Sequence, residues 1–232
     1  MKMTLRALSA LLAYPSEELQ ENVPAVREAI VGEGALGAKA LKHLDPLLNA
    51  LASRELLDLQ AEYSELFDRS RSLSLHLFEH VHGDNRERGQ AMIDLGQQYI
   101  AKGIFLEANE LPDFVPVFLE YASCLPTDEA KETLAQPVHV FAALAERLGK
   151  RGSEYGGIFS CLVSLAGVRP DAEATASVDE NTPPVDPANI DAEWEEAPVS
   201  FMNSAAHEMG GPTGVVAKIR ASNRNVSQGE RP

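Results

Sequence analysis

The sequence predicts an all-α fold: a single helical bundle over residues 1–168, followed by a mostly disordered acidic tail over residues 169–232. Apolar residues recur every three or four positions through most of the first part, which is the spacing of one helix face. No pair of alternating segments joined by an Asn-Gly or Asp-Gly turn indicates a hairpin. From Asp171 to Pro198 the chain has nine acidic residues, four prolines and neither lysine nor arginine, a composition typical of disorder.

The first fifty residues are predicted to form a series of short helices. The first helix ends at Pro15, and Ser16 then caps a short helix that ends before Pro24. Further along, Asp45 and Pro46 are a cap and a first-turn proline that restart the next helix at an angle. The leucines that mark the buried faces of these helices are Leu5, Leu8, Leu11, Leu12, Leu41, Leu44, Leu47, Leu48 and Leu51.

The middle of the chain interrupts this helical pattern. Ser53 is predicted to cap one more regular helix. The stripe of that helix is Leu56, Leu59, Tyr63, Leu66 and Phe67. After it, the leucines from Leu73 to Leu77 alternate with polar residues, but a single extended segment without a partner does not make a sheet. We therefore expect a long ordered loop or an irregular helix there.

A clear helix start follows this interruption. Asp84 and Glu87 match a capping box with aspartate in the capping role, and Gly103 has the position of a helix stop. The predicted buried face of this helix carries Met92, Leu95, Gly96 and Tyr99.

Three further helices complete the predicted bundle. The first begins at Leu111-Pro112-Asp113, and the second is capped by Thr127 and kinked by Pro137. The third helix ends near Gly167. The stripes of these helices contain Phe114, Val117, Phe118, Tyr121, Leu125, Leu134, Val138, Phe141, Leu144, Leu148, Tyr155, Ile158, Phe159, Leu162 and Val163.

Composition narrows the classes of function. A net charge of -15 argues against a nucleic-acid partner, because phosphate binding needs clustered lysine and arginine. The two cysteines, Cys124 and Cys161, lack a CxxC spacing, which favours a reducing cytoplasm over a disulfide framework. The apolar run Leu8–Ala13 is followed by Pro15 without a cleavage pattern, and later apolar runs are too short for a membrane span. We expect a cytoplasmic protein without direct membrane insertion.

One stretch, from His76 to Met92, concentrates the side chains that are able to do chemistry. It holds three of the six histidines together with carboxylates, arginines and two glycines. On a helix, His76 and His80 would share a face, and Glu79 lies between them in sequence. A metal-dependent helical enzyme that uses these three side chains is therefore one hypothesis.

Two other interpretations of the same stretch compete with the metal site. In the first, Arg86 and Arg88 form part of a recognition wall and face carboxylates or peptide carbonyls, since arginine offers a planar fork of donors. In the second, these charges merely pair with one another on the surface. The motifs GxxxxGK[ST], GxGxxG and GxSxG are all absent from the sequence, which argues against nucleotide and serine-hydrolase sites.

The segment His80–Met92, with the sequence HVHGDNRERGQAM, resembles the signature of the NarJ family of nitrate reductase assembly chaperones. That family belongs to the wider TorD/DmsD-type group of molybdoenzyme chaperones. The resemblance extends over residues 1–201. Further similar segments are Leu8–Leu12 with Tyr14-Pro15, Glu62–Phe67, Leu111–Asp113, Val117–Tyr121 and Trp194–Phe201. One departure is Phe114, where the family usually has a histidine.

The resemblance implies a cytoplasmic, all-helical chaperone without catalytic activity and without a cofactor or metal of its own. Such a protein would bind the N-terminal segment of the nitrate reductase catalytic (alpha) subunit. It would hold that segment competent for molybdenum cofactor insertion and complex assembly before membrane attachment. A helical adaptor for another molybdoenzyme is an alternative with the same fold.

The same resemblance assigns a peptide-binding site. Polar contacts with the client are expected from the loop and helix start around the signature, and apolar lining from aromatic residues of neighbouring helices. The expected peptide-binding residues are Tyr63, Glu79, His80, His82, Gly83, Asp84, Arg86, Arg88, Gln90, Asp113, Phe118 and Tyr121.

Overall fold

The computed structural model describes residues 1–82, 87–107 and 110–181, and these residues form eleven α-helices. The all-α prediction is thereby confirmed. The helices are α1 (Lys2–Leu11), α2 (Glu17–Glu33), α3 (Ala38–Ser53), α4 (Leu56–Phe67), α5 (Leu77–His82), α6 (Glu87–Ala101), α7 (Val115–Ser123), α8 (Thr127–Ala135), α9 (Val138–Lys150), α10 (Gly156–Ala166) and α11 (Ala172–Asn181).

Helix α10 is the central element of the bundle, because it packs against α3, α8 and α9. Its apolar residues lie on more than one face, as expected for a helix that is covered on several sides. The buried residues of α10 are Gly156, Ile158, Phe159, Cys161, Leu162, Leu165 and Ala166. Gly167 ends the helix with a φ of 69°, a left-handed conformation that favours glycine. The predicted helix end near Gly167 is confirmed.

A second layer forms where α1 packs against α2 and α7. The cap predicted at Ser16 is confirmed, because its hydroxyl accepts a hydrogen bond from the Leu19 N–H at 3.1 Å. Two prolines do not act as predicted, since Pro24 lies inside α2 and Pro46 lies inside α3. Both prolines are exposed, so each helix continues on its buried side despite the missing N–H.

Three other predicted helix boundaries are wrong. Ser53 is the last residue of α3, and its hydroxyl donates to the Asn49 carbonyl instead of capping α4. Thr127 is the first residue of α8 and does not cap it. Pro137 separates α8 from α9 and does not kink a continuous helix, because its ring fits the residue immediately before a helix start. The residue types allow both the predicted and the observed positions, and the sequence pattern does not distinguish them.

The chain continues beyond Val168 into one more helix, α11, which packs against α5 and α9. Val178 of α11 is buried in the core formed by the preceding helices. The predicted boundary at Val168 does not account for this helix. The rest of the predicted tail, residues 182–232, lies outside the described residues. Its disorder stays a prediction.

None of the described helices combines the length and the apolar character that a membrane-spanning helix requires.

Candidate functional site

A short backbone pairing brings the histidine-rich segment next to the start of α7. His76 and Phe114 form an isolated antiparallel bridge. The Val115 N–H donates to the Leu75 carbonyl at 2.8 Å, and the Leu77 N–H donates to the carbonyl of Asp113 at 3.0 Å. The segment with a period of two thus begins in a 3-10 turn that ends at Leu73, is extended over residues 74–76, and enters α5 at Leu77. This pairing fixes the entrance to α5.

The Asp113 carboxylate is the centre of the candidate site and is fully buried. Its Oδ2 accepts a hydrogen bond from the Phe78 N–H at 3.2 Å, and its Oδ1 lies 3.2 Å from Nδ1 of His76. Phe78 is in the first turn of α5, where backbone N–H groups have no partner within the helix. Asp113 thus supplies an acceptor to α5 from a distant part of the sequence.

Arg88, in the first turn of α6, connects this buried carboxylate to the surface. Its Nη2 donates to Oε1 of Glu79 at 3.2 Å and lies 4.0 Å from Oδ2 of Asp113. About a quarter of each side chain in the Arg88–Glu79 pair is exposed. We refer to His76, Glu79, Arg88 and Asp113 as the charged cluster. It joins α5, α6 and the start of α7 around one buried charge.

His80 does not face solvent and instead supports the backbone that leads into the charged cluster. Its ring is fully buried, and its Nε2 lies 2.8 Å from the carbonyl oxygen of Ser74. Burial lowers the pKa of His80 to about 4, so the ring is neutral at pH 7 and Nε2 donates to that carbonyl. The Ser74 hydroxyl accepts from the His76 N–H at 3.2 Å. These bonds hold the chain that presents His76.

Tyr99 attaches α6 to the same region. It is fully buried, and its hydroxyl donates to the Pro112 carbonyl at 2.7 Å, directly before Asp113. Its ring packs against that of Tyr121 with centroids 4.3 Å apart. Burial raises the pKa of both phenols, so both stay protonated. Tyr121 therefore contributes to the candidate site by packing against Tyr99.

The aromatic residues expected to line a groove are buried in this structure. Tyr63 donates to the Leu12 carbonyl at 2.8 Å and packs against Phe67 and Tyr155. Phe118 belongs to the central hydrophobic core. Tyr63 thus lies in an aromatic cluster of its own, whereas the charged cluster brings together Glu79, Arg88 and Asp113.

The other predicted site residues contribute less or lie outside the described residues. His82 is half-buried and packs edge-on against Phe78, with ring centroids 5.6 Å apart. The exposed Gln90 donates to Oδ1 of Asp94, four residues along α6. The three remaining predicted residues, Gly83, Asp84 and Arg86, lie outside the described residues.

The metal hypothesis has no support from these positions. His76 and His80 bond to different partners, the Asp113 carboxylate and the Ser74 carbonyl, and Glu79 pairs with Arg88. Within residues 1–82, 87–107 and 110–181, no group of three histidine, cysteine or acidic side chains could hold a metal ion. The three side chains of the hypothesis therefore do not converge.

Phe114, the departure from the family pattern, has a structural role beside the charged cluster. Its ring is half-buried and lies 5.3 Å from the His76 ring, at an angle of 34°. The phenylalanine thus packs on the histidine that contacts Asp113. The Asp113 carboxylate in this chain contacts His76 and the Phe78 N–H.

Sequence reasoning missed two residues of this region. His76 is not among the peptide-binding residues expected from the sequence, although it contacts Asp113 across 37 positions of sequence. Arg147 was not singled out, although it is buried on α9. Its spacing from Val140 and Leu144 follows the apolar stripe of α9 and is the signal that could have found it.

Comparison with known proteins agrees with this architecture. The family model "Nitrate reductase delta subunit" matches residues 33–160. The nitrate reductase molybdenum cofactor assembly chaperone NarJ of Escherichia coli K12 is 42% identical over 195 residues, which cover 84% of this chain and 83% of that protein. The chain belongs to the nitrate reductase delta subunit family.

Two further comparisons extend this result. The NarW protein of Escherichia coli K12 is 38% identical over 203 residues, which cover 87% of this chain and 85% of that protein. A crystal structure described as a redox enzyme maturation protein of Archaeoglobus fulgidus has a TM-score of 0.54 at 20% identity. The match covers 72% of this chain and 94% of that chain, and it shows the shared fold. These relatives are named for assembly or maturation and not for catalysis.

Proposed function

We propose that this protein is a cytoplasmic assembly chaperone that binds the N-terminal segment of the nitrate reductase catalytic (alpha) subunit. It holds that segment competent for molybdenum cofactor insertion before the complex attaches to the membrane. The molybdenum cofactor is the cargo of the client and is not a resident group of this chain. Family membership supports the nitrate reductase partner, and the surface around the charged cluster supports a peptide-binding role.

The observation that carries this proposal is a concentration of exposed apolar side chains on the helices and the segment that also carry the charged cluster. Of the ten large apolar side chains exposed among the described residues, five lie between residues 81 and 111. They are Val81 on α5, Ile93 and Ile100 on α6, and Phe105 and Leu111 before α7. Exposed apolar side chains next to polar anchors are typical of protein-interaction surfaces.

The charged cluster supplies polar groups on the same elements, with Glu79 on α5 and Arg88 on α6. His76, Glu79 and Arg88 are each between 25% and 29% exposed, so a ligand can reach them, while Asp113 beneath them is fully buried. An amphipathic client segment would place its apolar face on α6 and its polar groups on Glu79 and Arg88. Gly83, Asp84 and Arg86 lie between α5 and α6 in sequence and belong to the proposed site.

Calorimetric titration of the full chain with a peptide from the N-terminus of the catalytic subunit tests the proposal. We expect saturable binding, and we expect a peptide from another molybdoenzyme to bind much more weakly. No saturable binding by a protein with an intact helical circular dichroism spectrum would contradict the proposal. Stronger binding of the other molybdoenzyme peptide would favour the alternative, an adaptor of different specificity.

Two matched pairs of variants locate the surface. Arg88→Ala should raise the Kd about tenfold or more, as expected for an anchoring arginine. Arg54→Ala should leave the Kd unchanged, since Arg54 forms a similarly exposed ion pair with Glu62 near the start of α4. Phe105→Ser should weaken binding, whereas Leu57→Ser should not, although the two side chains are 77% and 78% exposed. Equal effects within each pair would place the site elsewhere.

A further inference from the structure

Arg147 of α9 is a buried arginine that joins two segments distant in sequence. Its side chain is almost completely buried. Its Nη1 donates to the Ser72 carbonyl at 2.7 Å, and its Nη2 donates to the Val178 carbonyl of α11 at 3.2 Å. One guanidinium group thereby connects α9, the segment before α5, and the helix that follows the bundle.

The Ser72 end of this connection leads to the charged cluster through a short path. Ser72 and Ser70 share a hydrogen bond between their hydroxyls at 2.7 Å, and both side chains are buried. Two residues further on, Ser74 accepts from His80 through its carbonyl and from the His76 N–H through its hydroxyl. His76 in turn contacts Asp113. The step from Ser72 to Ser74 is two residues of chain, and the other steps are direct side-chain contacts.

The Val178 end leads to the last described helix. Helix α11 packs against both α5 and α9, and its anchor in the core is the buried Val178. Apart from Val178, the described side chains of α11 are those of residues 172–177, which are alanines and polar residues that are exposed or half-buried. The bond from Arg147 to the Val178 carbonyl therefore adds to the packing of Val178 in holding α11 on α9.

Arginine suits this position for a physical reason. Burying a charge costs free energy unless its donors are satisfied, and two carbonyls from different segments accept hydrogen bonds from Nη1 and Nη2 of this planar group. An apolar side chain of the same length fills the space but does not fix either segment. A guanidinium group in this place therefore ties the positions of the two segments to each other.

We propose that Arg147 is a positioning residue for the client site. By tying Ser72 and Val178 together, Arg147 holds the segment from Ser70 to His76 and helix α11 in the one arrangement that presents the charged cluster preformed. Arg147 does not contact the client. This inference rests on the proposed peptide-binding function. It adds α9 and α11 to the elements that support the binding site.

The test measures peptide affinity, unfolding and one spectroscopic signal in the full chain. The variants are Arg147→Met, which keeps the apolar stem, and Arg147→Lys, which keeps the charge but loses the fork. Val178→Asp places a charge at a buried position of α11 and so breaks the Arg147 connection at its other end. Leu51→Ala on α3 is the control for stability alone, since Leu51 is fully buried and α3 packs against α2 and α10.

We expect Arg147→Met and Val178→Asp each to raise the Kd of the catalytic-subunit peptide about tenfold. The double variant should bind no more weakly than either single variant, because both substitutions break the same connection. The Kd of Arg147→Lys for the peptide should lie between the values of wild type and Arg147→Met. Leu51→Ala should lower the unfolding temperature and leave the Kd of the folded protein unchanged. The His80 Nε2–H resonance should shift or exchange faster in Arg147→Met and not in Leu51→Ala.

The outcomes separate this inference from the proposed function. If Arg88→Ala weakens peptide binding while Arg147→Met and Arg147→Lys bind within about twofold of wild type, the positioning role is overturned and the proposed function stands. If Arg147→Met does not fold, Arg147→Lys decides by the same criterion. If the wild-type chain does not bind the peptide, the proposed function fails, and the positioning role fails with it.

Discussion

Helices α10 and α6 differ in how their surroundings hold them. Helix α10 is covered by α3, α8 and α9, and a Cβ on Gly157 would lie 1.9 Å from the His43 carbonyl oxygen of α3. Among the described side chains of α6, only that of Tyr99 is fully buried, and a Cβ on Gly96 would meet nothing within 4 Å. Helix α10 is thus held on several sides, whereas α6 has a free face.

The difference shows which part of the fold contributes most to stability and which part leaves surface for a partner. Gly157 comes close to the His43 backbone where α10 packs on α3, and the buried apolar side chains of α10 pack in the core to the density of an interior. The exposed apolar side chains Ile93 and Ile100 lie on α6, which is attached by Tyr99 and by the Arg88–Glu79 pair. Variants of matched chemistry in the two regions should therefore behave in opposite ways.

The largest contrast is expected for glycine-to-alanine substitutions. Gly157→Ala should lower the free energy of unfolding by about 3 kcal/mol or more, because the added methyl group meets backbone that cannot rotate away. Gly96→Ala should raise it by about 0.5–1 kcal/mol through better helix propensity. Urea unfolding of both variants measures the effects. A loss of stability in Gly96→Ala similar to that in Gly157→Ala would show that α6 is as closely packed as α10.

The next largest effect is the pH dependence of the free energy of unfolding that arises from the buried His80. The pKa of His80 falls from 6.5 to about 4 on folding, chiefly through burial, with Arg147 also lowering it and the Ser74 bond, Glu79 and Asp113 opposing. The unfolded chain binds this proton more readily, so the stability contribution is complete above pH 6.5 and is lost as pH falls towards 4. The loss should be at most about 3 kcal/mol.

Unfolding free energies measured between pH 7 and pH 4.5 test this dependence. His80→Gln has no titratable group at this position, so its stability should fall less steeply over that range than that of wild type. Identical slopes for the two proteins would show that His80 is not the responsible group.

A smaller loss is expected when the buried carboxylate is removed. Asp113→Ala leaves the Phe78 N–H and the His76 ring without their acceptor and should lower the free energy of unfolding by about 2–3 kcal/mol. Asp113→Asn keeps one acceptor oxygen and should cost about half as much. Thermal unfolding of both variants provides the comparison. An Ala variant as stable as wild type would mean that α5 does not depend on this carboxylate.

The smallest effect on stability is expected at the exposed edge of the charged cluster. Arg88→Ala removes a partly exposed ion pair with Glu79 and should change the free energy of unfolding by no more than about 0.5 kcal/mol. Arg54→Ala should have a similarly small effect. The two variants should then differ only in peptide affinity. A large loss of stability in Arg88→Ala alone would assign Arg88 to the fold and not to recognition.

Local patterns predicted the helices well where the deciding interactions are local. The Ser16 cap bonds three residues ahead, and Gly167 ends α10 through its own backbone conformation. Pro46 shows the limit of such rules, because an exposed proline leaves the buried side of α3 intact. The stripe of α6 shows the same limit, since Met92 and Leu95 are only half-buried. Periodicity identifies a face but does not determine whether another helix covers it.

The sequence by itself determined the helical class, most helix positions and the resemblance of residues 80–92 to a chaperone family. These depend on spacing and on neighbours a few residues apart. Only the tertiary structure placed His76 and Asp113, 37 residues apart, in contact. It also brought Arg147 to Ser72 and Val178, 75 and 31 residues away. Such contacts follow from how helices pack, and packing depends on the whole set of side chains and not on any single stretch.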